Sequence, residues 1–402
     1  MASKVIRLLH WGEDSLAFLV LFLLALFPTM EVVARKFFHT GVANSTEYTH
    51  YLVLVLTFFA SIVTSREHKH LSISFDFPFS PGVKEKVAVA TSTLAAALTM
   101  AMAWAALSFA LNGFDASDKV GPFQIRTIAL ALPLGYAIMA LRFVTGLPAR
   151  AWARGIAALG LALGTLLALE PIFNALTSLG LLELPPEGVI GFFHQLMGWL
   201  GWPLLLLLIV AAVFGAPIFI VLGGAGYLLF ARLGEPLEVV PNQAFAMLTS
   251  SSLPAIPLFA FTGFLLAESR AGERLVRLFR AFFSWAPGGL AIMAILVCAF
   301  FTTFTGASGV TIVALGGLLS YVMINSRYDK TFTKGLLTAS GSIGLLFAPS
   351  LPVIIYGVTA QINIKHMFNA GLLPGFLLVL AMAVMGVVHA KRVSVERVPF
   401  QP

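Results

Sequence analysis

Charge is what this chain lacks most. Of its 402 residues only 11% are charged, against about 25% in a soluble domain. So few charges do not cover the surface of a soluble fold of this length. Hydrophobic residues make up 59%, and the mean hydropathy is +0.93. Cysteine is nearly absent: Cys298 stands alone in an apolar run, which excludes a disulfide framework and a cysteine metal cluster and reads as a small buried hydrophobe. No Ala-x-Ala-like site closes the first apolar run, so that run is expected to span rather than to be a cleaved signal. These absences exclude an ordinary cytosolic enzyme, a disordered chain and a stapled secreted domain. An all-α multi-spanning membrane protein remains. The net charge of +7 needs no nucleic acid, because basic residues at the ends of membrane helices account for it.

Runs of the required length of about 20 residues predict spans at Ser15–Val33, Tyr48–Thr64, Val87–Leu111, Ile128–Leu147 and Ala151–Leu169. Turn signals such as Phe79-Ser80-Pro81-Gly82 and Asn112-Gly113 separate them. Lys4 and Arg7, the loop with Arg66, Lys69, Lys84 and Lys86, and Arg150 with Arg154 alternate with less basic stretches. The positive-inside rule then places the N-terminus in the cytoplasm. Lys and Arg are absent between Arg154 and Arg232, so the region of Glu170, Glu183 and Glu187 is expected outside. The texture changes near Pro185-Pro186. The expected organisation is a four-helix membrane domain (1–150), a linker helix with an outer loop (151–190), and a second part (191–402) whose apolar runs are interrupted.

Three interruptions carry the functional information. They are Thr249–Pro257, with Ser250, Ser251, Ser252 and Pro254; Thr302–Gly309; and Phe347–Pro352. None contains Asp, Glu, Lys or Arg. In hydrocarbon a broken helix leaves backbone groups unpaired, which is tolerated only where the break is buried in protein or lines a cavity. Secondary transporters use such breaks, where unwound carbonyls bind Na⁺ and half-helix N-termini face anions. Any ion here is held by neutral oxygens, which favours Na⁺ over H⁺ coupling. The ordinary alternative is that small residues merely let helices pack closely. The first and third breaks echo each other, Ser252-Leu253-Pro254-Ala255-Ile256 against Ser350-Leu351-Pro352-Val353-Ile354. Between the first two breaks, Arg270–Trp285 has the spacing of an amphipathic helix lying in the interface, ended by Pro287-Gly288-Gly289.

These residues resemble the large membrane subunit of tripartite ATP-independent periplasmic (TRAP) transporters. The matching strings are Ala255-Ile256-Pro257-Leu258-Phe259, Gly263, Leu265-Leu266, Glu273-Arg274-Leu275-Val276 and Pro287-Gly288-Gly289-Leu290-Ala291. They continue through Gly306-Ala307-Ser308-Gly309, Tyr328-Asp329-Lys330, Ala339-Ser340-Gly341-Ser342-Ile343-Gly344, Pro349-Ser350-Leu351-Pro352, Tyr356-Gly357 and Ala370-Gly371-Leu372-Leu373-Pro374-Gly375. The first part is similar, more loosely, to the family's small membrane subunit, through Arg35, Glu47 and Arg66-Glu67-His68-Lys69-His70-Leu71. The resemblance implies fused small and large subunits with helix five as linker. It further implies Na⁺-driven uptake of a small organic anion across a bacterial inner membrane, by an elevator mechanism, from a periplasmic substrate-binding protein. No cofactor is implied beyond Na⁺ as coupling ion. By the same resemblance the substrate and ion contacts would include Ser250, Ser251, Ser252, Pro254, Thr305, Gly306, Ala307, Ser308, Gly309, Ser340, Gly341, Ser342, Pro349, Ser350 and Pro352, with Na⁺ at Ser308, Gly306 and Ser252. Phe264 departs from the family, which often has a small polar amide there. Only the first of the large subunit's two inverted repeats is matched, so a second membrane chain or segment is expected to supply the other half, or the chain is a non-transporting remnant.

Rival constellations are few. Gly306-Ala307-Ser308-Gly309 fits the G-x-S-G pattern of rhomboid-like intramembrane serine proteases, which needs a histidine base beside Ser308, and His366 and His389 are the candidates downstream. Glu67, His68 and His70 are expected to form a solvated turn rather than a metal site. Glu31 and Arg35 read either as a helix-end ion pair or as a contact between the two halves. Arg142 is expected to snorkel to the cytoplasmic surface, and Trp11, Trp104, Trp202 and Trp285 to anchor helix ends at the interface.

Overall fold

The computed structural model describes residues 2–74, 78–115, 117–148, 150–183, 187–283, 285–306 and 308–393. The backbone of the long apolar runs satisfies itself as helix, the solution hydrocarbon demands. Among the described residues seven helices are long and apolar enough to cross a membrane, or nine if each of two bent pairs is one span. The chain divides into two compact units, residues 1–249 and residues 250–402.

Unit 1 contains α1 (Ala2–Phe38), α2 (Ser45–Arg66), β1 (Ser72–Ser74), α3 (Pro81–Asn112), β2 (Lys119–Val120), β3 (Phe123–Gln124), α4 (Ile125–Ala129), α5 (Ala131–Thr145), α6 (Ala151–Leu167), α7 (Leu169–Ser178), α8 (Glu187–Val213), β4 (Phe214–Pro217), α9 (Ile218–Leu233) and α10 (Val239–Leu248). Helix α3 is its axis. An alanine-rich run from Ala95 to Ala110 is buried almost throughout, and α6 docks on it through Gly160 and Gly164. A Cβ at Gly164 would stand 2.2 Å from the Ala97 carbonyl oxygen, so only glycine permits this approach. By contrast α1 turns Phe18, Leu19 and Phe22 outward, as a lipid-facing helix does.

The four expected spans of the first part are present: the first three have longer ends, and the fourth starts earlier, at Ile125, and stops at Thr145. The fifth differs: α6 and α7 meet at a 63° bend, because Ala168 leaves helical geometry at φ −109°, ψ 23°. Helices α8–α10, which the change of texture assigns to the second part, are within unit 1 by their contacts. Tyr227 of α9 is fully buried beside Ala101 and Ala105 of α3, and its hydroxyl donates to the Leu167 carbonyl at 3.1 Å. The residues Pro185 and Pro186 lie outside the described ones. The short strands are a further difference: β1 pairs antiparallel with β4, and β2 with β3.

Several charges in unit 1 are held by partners. Arg66 donates to Glu13 Oε2 at 3.2 Å and to Asp14 Oδ1 at 2.7 Å, and Arg142 pairs with the other oxygen of Glu13. Arg142 therefore does not simply snorkel outward: it ties α5 to α1, with His10 Nε2 3.2 Å away. Glu31 takes the helix-end role. It accepts from Arg35 Nε at 2.5 Å, Val42 N–H at 2.7 Å and Ser45 Oγ at 2.8 Å, closing the α1–α2 turn. His70 Nε2 lies 2.6 Å from Ser65 Oγ and its ring packs on Phe143 and Phe219. Among the described residues no group of three or more metal-binding side chains forms.

Unit 2 contains α11 (Ala255–Glu268), α12 (Ala271–Phe283), α13 (Gly289–Thr305), α14 (Ser308–Asn325), α15 (Lys330–Ile343), a 3-10 turn (Gly344–Leu346), α16 (Leu351–Thr359) and α17 (Ile364–Arg392). Its core forms around α13, with Met293, Ala294, Ile295, Val297 and Phe301 buried against Leu315, Leu319, Leu336 and Leu337. Cys298 is buried in that core. The expected amphipathic helix is α12, which buries Gly272 and Val276 and exposes its arginines.

Candidate ion and substrate site at the helix breaks

The second break is a tight turn between two helices that fold back on each other. Gly306 closes α13 at φ 65°, a left-handed conformation that glycine adopts without strain. Its N–H donates to the Thr302 carbonyl at 2.8 Å. The turn returns the first turn of α14 to the last turn of α13. Thr302 Oγ1 consequently donates to Thr311 Oγ1 at 2.8 Å, and Thr305 Oγ1 lies 3.1 Å from the same oxygen. Thr302, Thr305 and Thr311 are buried. Together they form a buried cluster of neutral hydroxyl oxygens.

The third break is wedged against this cluster. Helix α15 passes into the 3-10 turn, Phe347 is extended at φ −98°, ψ 150°, and α16 restarts at Leu351. The two helical stretches make a 43° angle. Thr303 Oγ1 donates to Ala299 O at 2.7 Å and stands 3.3 Å from the Gly344 carbonyl oxygen. Gly344 is forced by contact: a Cβ there would meet Ala299 O at 2.2 Å and Thr302 Cβ at 2.7 Å. A Cβ on Gly306 would meet Leu351 Cδ1 at 2.4 Å, so the second break also touches the start of α16. Ser350 occupies the N-cap position of α16 but makes no capping bond. Its hydroxyl is fully buried and has no hydrogen-bond partner. Burying a hydroxyl unpaired costs about 1–3 kcal/mol, which marks Ser350, like Ser250, Tyr328 and Thr333 in the same unit, as a position to test.

Not every expected site residue joins this arrangement. Thr305 and Gly306 sit at the turn, Leu351 rather than Ser350 is the residue of the third break placed against Gly306, and Ser308 Cβ comes within 3.5 Å of the Cβ position of Gly341. Ser340 is buried beside Gly341, and its hydroxyl donates to the Leu336 carbonyl one turn back at 2.6 Å. Gly309, Ser342 and Pro352 are exposed and Pro349 half-buried. Ala307 lies outside the described residues. The first break is a turn between α10 and α11, where Ser250 and Ser252 are half-buried and Ser251 exposed. Among the described residues no hydrogen bond joins Ser252 to Gly306 or Ser308. The helix that follows does reach the site: a Cβ on Gly263 would lie 2.8 Å from Thr305 Cα. Phe264, one residue on, is exposed.

Thr302, Thr303, Thr311 and Gly344 are the additions that the structure makes to the expected set. Thr311 sits three residues beyond Ser308, one helical turn into α14, and that spacing is the signal that marks it. Beside the breaks a largely apolar cavity of about 350 Å³ is lined by Ala299, Thr303, Phe304, Phe347, Ala348 and Phe376, among others. The protease geometry is not formed. The His389 ring stacks on Phe332 with centroids 3.7 Å apart, His366 is exposed at the start of α17, and among the described residues neither is hydrogen-bonded to Ser308.

The chain matches two family models. Residues 24–152 match the DctQ component of tripartite ATP-independent periplasmic transporters, and residues 205–401 match the DctM component. An isethionate TRAP transporter permease protein, DctMQ, of Oleidesulfovibrio alaskensis is 30% identical over 266 residues, which are 65% of this chain and 39% of that protein. An ectoine TRAP transporter large permease protein, TeaC, of Halomonas elongata is 30% identical over 50% of this chain and 44% of its own length. A C4-dicarboxylate TRAP transporter large permease protein, DctM, of Vibrio cholerae is 28% identical over 49% of this chain and 44% of its own. The chain thus spans about two fifths of the length of the curated relatives it matches. Both components match within one chain, and nothing in these comparisons supports a separate second membrane chain as a partner. These relatives are named as permeases, not as enzymes, which disfavours the protease reading of Ser308.

Proposed function

Because this chain belongs to the tripartite ATP-independent periplasmic (TRAP) transporter family, we propose that it is a membrane permease component that couples Na⁺ entry to uptake of a small organic acid across the inner membrane. A periplasmic substrate-binding protein delivers the acid. The N-terminus is cytoplasmic, as the distribution of basic residues requires. Unit 2 is the moving element of an elevator mechanism and unit 1 the brace.

The observation that carries this reading is the oxygen cluster at the breaks. Thr302, Thr305 and Thr311 hydroxyls gather at one turn, the Gly344 carbonyl stands beside Thr303, and Ser350 keeps a buried hydroxyl without a partner. Hard neutral oxygens at unwound helix ends suit an alkali cation. A carboxylate for H⁺ coupling is missing from all three breaks.

The test uses the full chain purified in neutral detergent. An ion that binds only the folded state raises its stability by mass action, by about 2.7 kcal/mol at 100 times its dissociation constant. The unfolding midpoint is expected to rise in NaCl relative to choline chloride at equal ionic strength. The rise is expected to vanish in Thr311→Val, which keeps the side-chain shape and removes the central oxygen. Equal midpoints of the unaltered chain in the two salts would refute Na⁺ binding.

A further inference from the structure

Helix α12 carries a polar stripe that the ion site does not use. Arg270, Arg274, Arg277 and Arg280 recur at intervals of three or four residues, so they follow one side of the helix. All four are exposed. Among the described residues none of their guanidinium groups has an ion-pair or hydrogen-bond partner. Glu268 and Glu273, also exposed, offset two of the four charges. The other side of the helix is occupied: Val276 is in the core of unit 2, with Leu275 and Phe279 packed against it. On the flank, Leu278 and Phe282 are more than half exposed, as is Trp285 just beyond the helix. Between stripe and flank runs a groove of about 410 Å³ lined by Ser269, Arg270, Ala271, Arg274, Leu275 and Leu278. The first free N–H of the helix, at Ala271, is already taken by Ser269 Oγ at 3.1 Å, which leaves the guanidiniums as the donors for an anion.

We infer that this groove seats an anionic phospholipid of the cytoplasmic leaflet, its phosphodiester between Arg270 and Arg274 and its acyl chains over Leu275 and Leu278. Arginine offers a planar fork that matches two phosphate oxygens. Four arginines in so short a segment are the signature of a cytoplasmic face, and that leaflet carries the negative surface potential. The exposed apolar flank separates a lipid from other anions. A soluble acidic partner would leave Leu278, Phe282 and Trp285 in water, whereas a lipid covers them. Seated lipid pins α12, and with it the adjoining ends of α11 and α13, at the membrane surface.

Native mass spectrometry of the full chain in neutral detergent tests this, with phosphatidylglycerol, phosphatidylcholine of the same acyl chains, and glycerol 3-phosphate as probes. Phosphatidylglycerol is expected to be retained in preference to phosphatidylcholine. Each guanidinium removed is expected to weaken that retention about fivefold, and Arg270→Gln with Arg274→Gln roughly 25-fold. The paired lysine variants, which keep the charge without the fork, are expected to retain most of it. Arg150→Gln, which breaks a surface pair with Glu85, is expected to change nothing. The glutamine and lysine pairs are compared only after both show the parent's unfolding midpoint, and single variants replace a pair that does not. Equal retention of the two lipids, or unaltered retention after both arginines are lost, would overturn the inference. Glycerol 3-phosphate competing as strongly as lipid would overturn it too, in favour of a simple anion site.

Discussion

Both compact units bury hydroxyls, and unit 1 also holds charges in part-buried pairs. In unit 1 Glu13 is shared by Arg66 and Arg142, Glu170 faces His194 at 3.0 Å, and Glu238 Oε1 accepts from Ser108 and Asn174 at 2.7 and 2.9 Å. In unit 2 the buried Ser and Thr side chains among the described residues are Thr302, Thr303, Thr305, Thr311, Thr333, Ser340 and Ser350. Two of these, Thr333 and Ser350, have no hydrogen-bond partner. Paired charges fix a single arrangement, because removing one partner strands the other. Neutral oxygens with spare lone pairs hold no charge until a cation arrives, and release it without leaving a naked ion behind. The first chemistry suits a brace, the second a site that fills and empties.

The sharpest way to break the contrast is steric. Gly344→Ala drives a Cβ into the Ala299 carbonyl. It is expected to cost the upper part of the roughly 1–3 kcal/mol range for overpacking, and to abolish any Na⁺ effect on the unfolding midpoint. Glu13→Gln strikes the other unit. It leaves Arg66 and Arg142 without their shared carboxylate, and at side-chain exposures of 13–21% a cost of about 2 kcal/mol is expected after solvent screening. The midpoint falls in every salt while the difference between NaCl and choline chloride persists. Thr311→Val removes two hydroxyl contacts for about 1–2 kcal/mol, with the opposite signature: a modest loss of stability and complete loss of the Na⁺ difference.

The smallest effect is on pH. Burial, and after it the neighbouring His68, hold the His70 imidazole below its ordinary pKa of 6.5. The folded state then binds fewer protons than the unfolded one. Its contribution is intact above 6.5 and is lost as pH falls below that value towards the lowered folded pKa. Thermal unfolding at pH 7.5 and 5.5 should show a drop that shrinks in His70→Gln. The Na⁺ difference should be the same at pH 6 and 8, since the hydroxyl site has nothing to titrate in that range.

Much of the architecture was legible in the chain, because hydrocarbon leaves few options: an apolar run of spanning length becomes a helix. The limits of the helices were less so. The bend at Ala168 falls just before Pro171, which has no N–H for the Leu167 carbonyl, and the pairing of Arg142 with Glu13 joins residues far apart in sequence. The breaks were visible as uncharged Gly, Pro, Ser and Thr clusters, and the second and third do meet, Gly306 against Leu351 and Thr303 against Gly344. What sequence did not tell is which hydroxyls come together. Ser340 turns back to the Leu336 carbonyl on its own helix. Thr311 looks like an ordinary helix residue until the turn at Gly306 brings it against Thr302.

Ser350→Ala tests the central claim most directly, measured as the unfolding midpoint of the full chain in NaCl and in choline chloride. Deleting a buried hydroxyl that bonds nothing should leave the choline midpoint unchanged or slightly raised. That result is expected together with a reduced Na⁺ difference. A lower choline midpoint with the Na⁺ difference intact would contradict it, and would make Ser350 a structural residue and not part of an ion site.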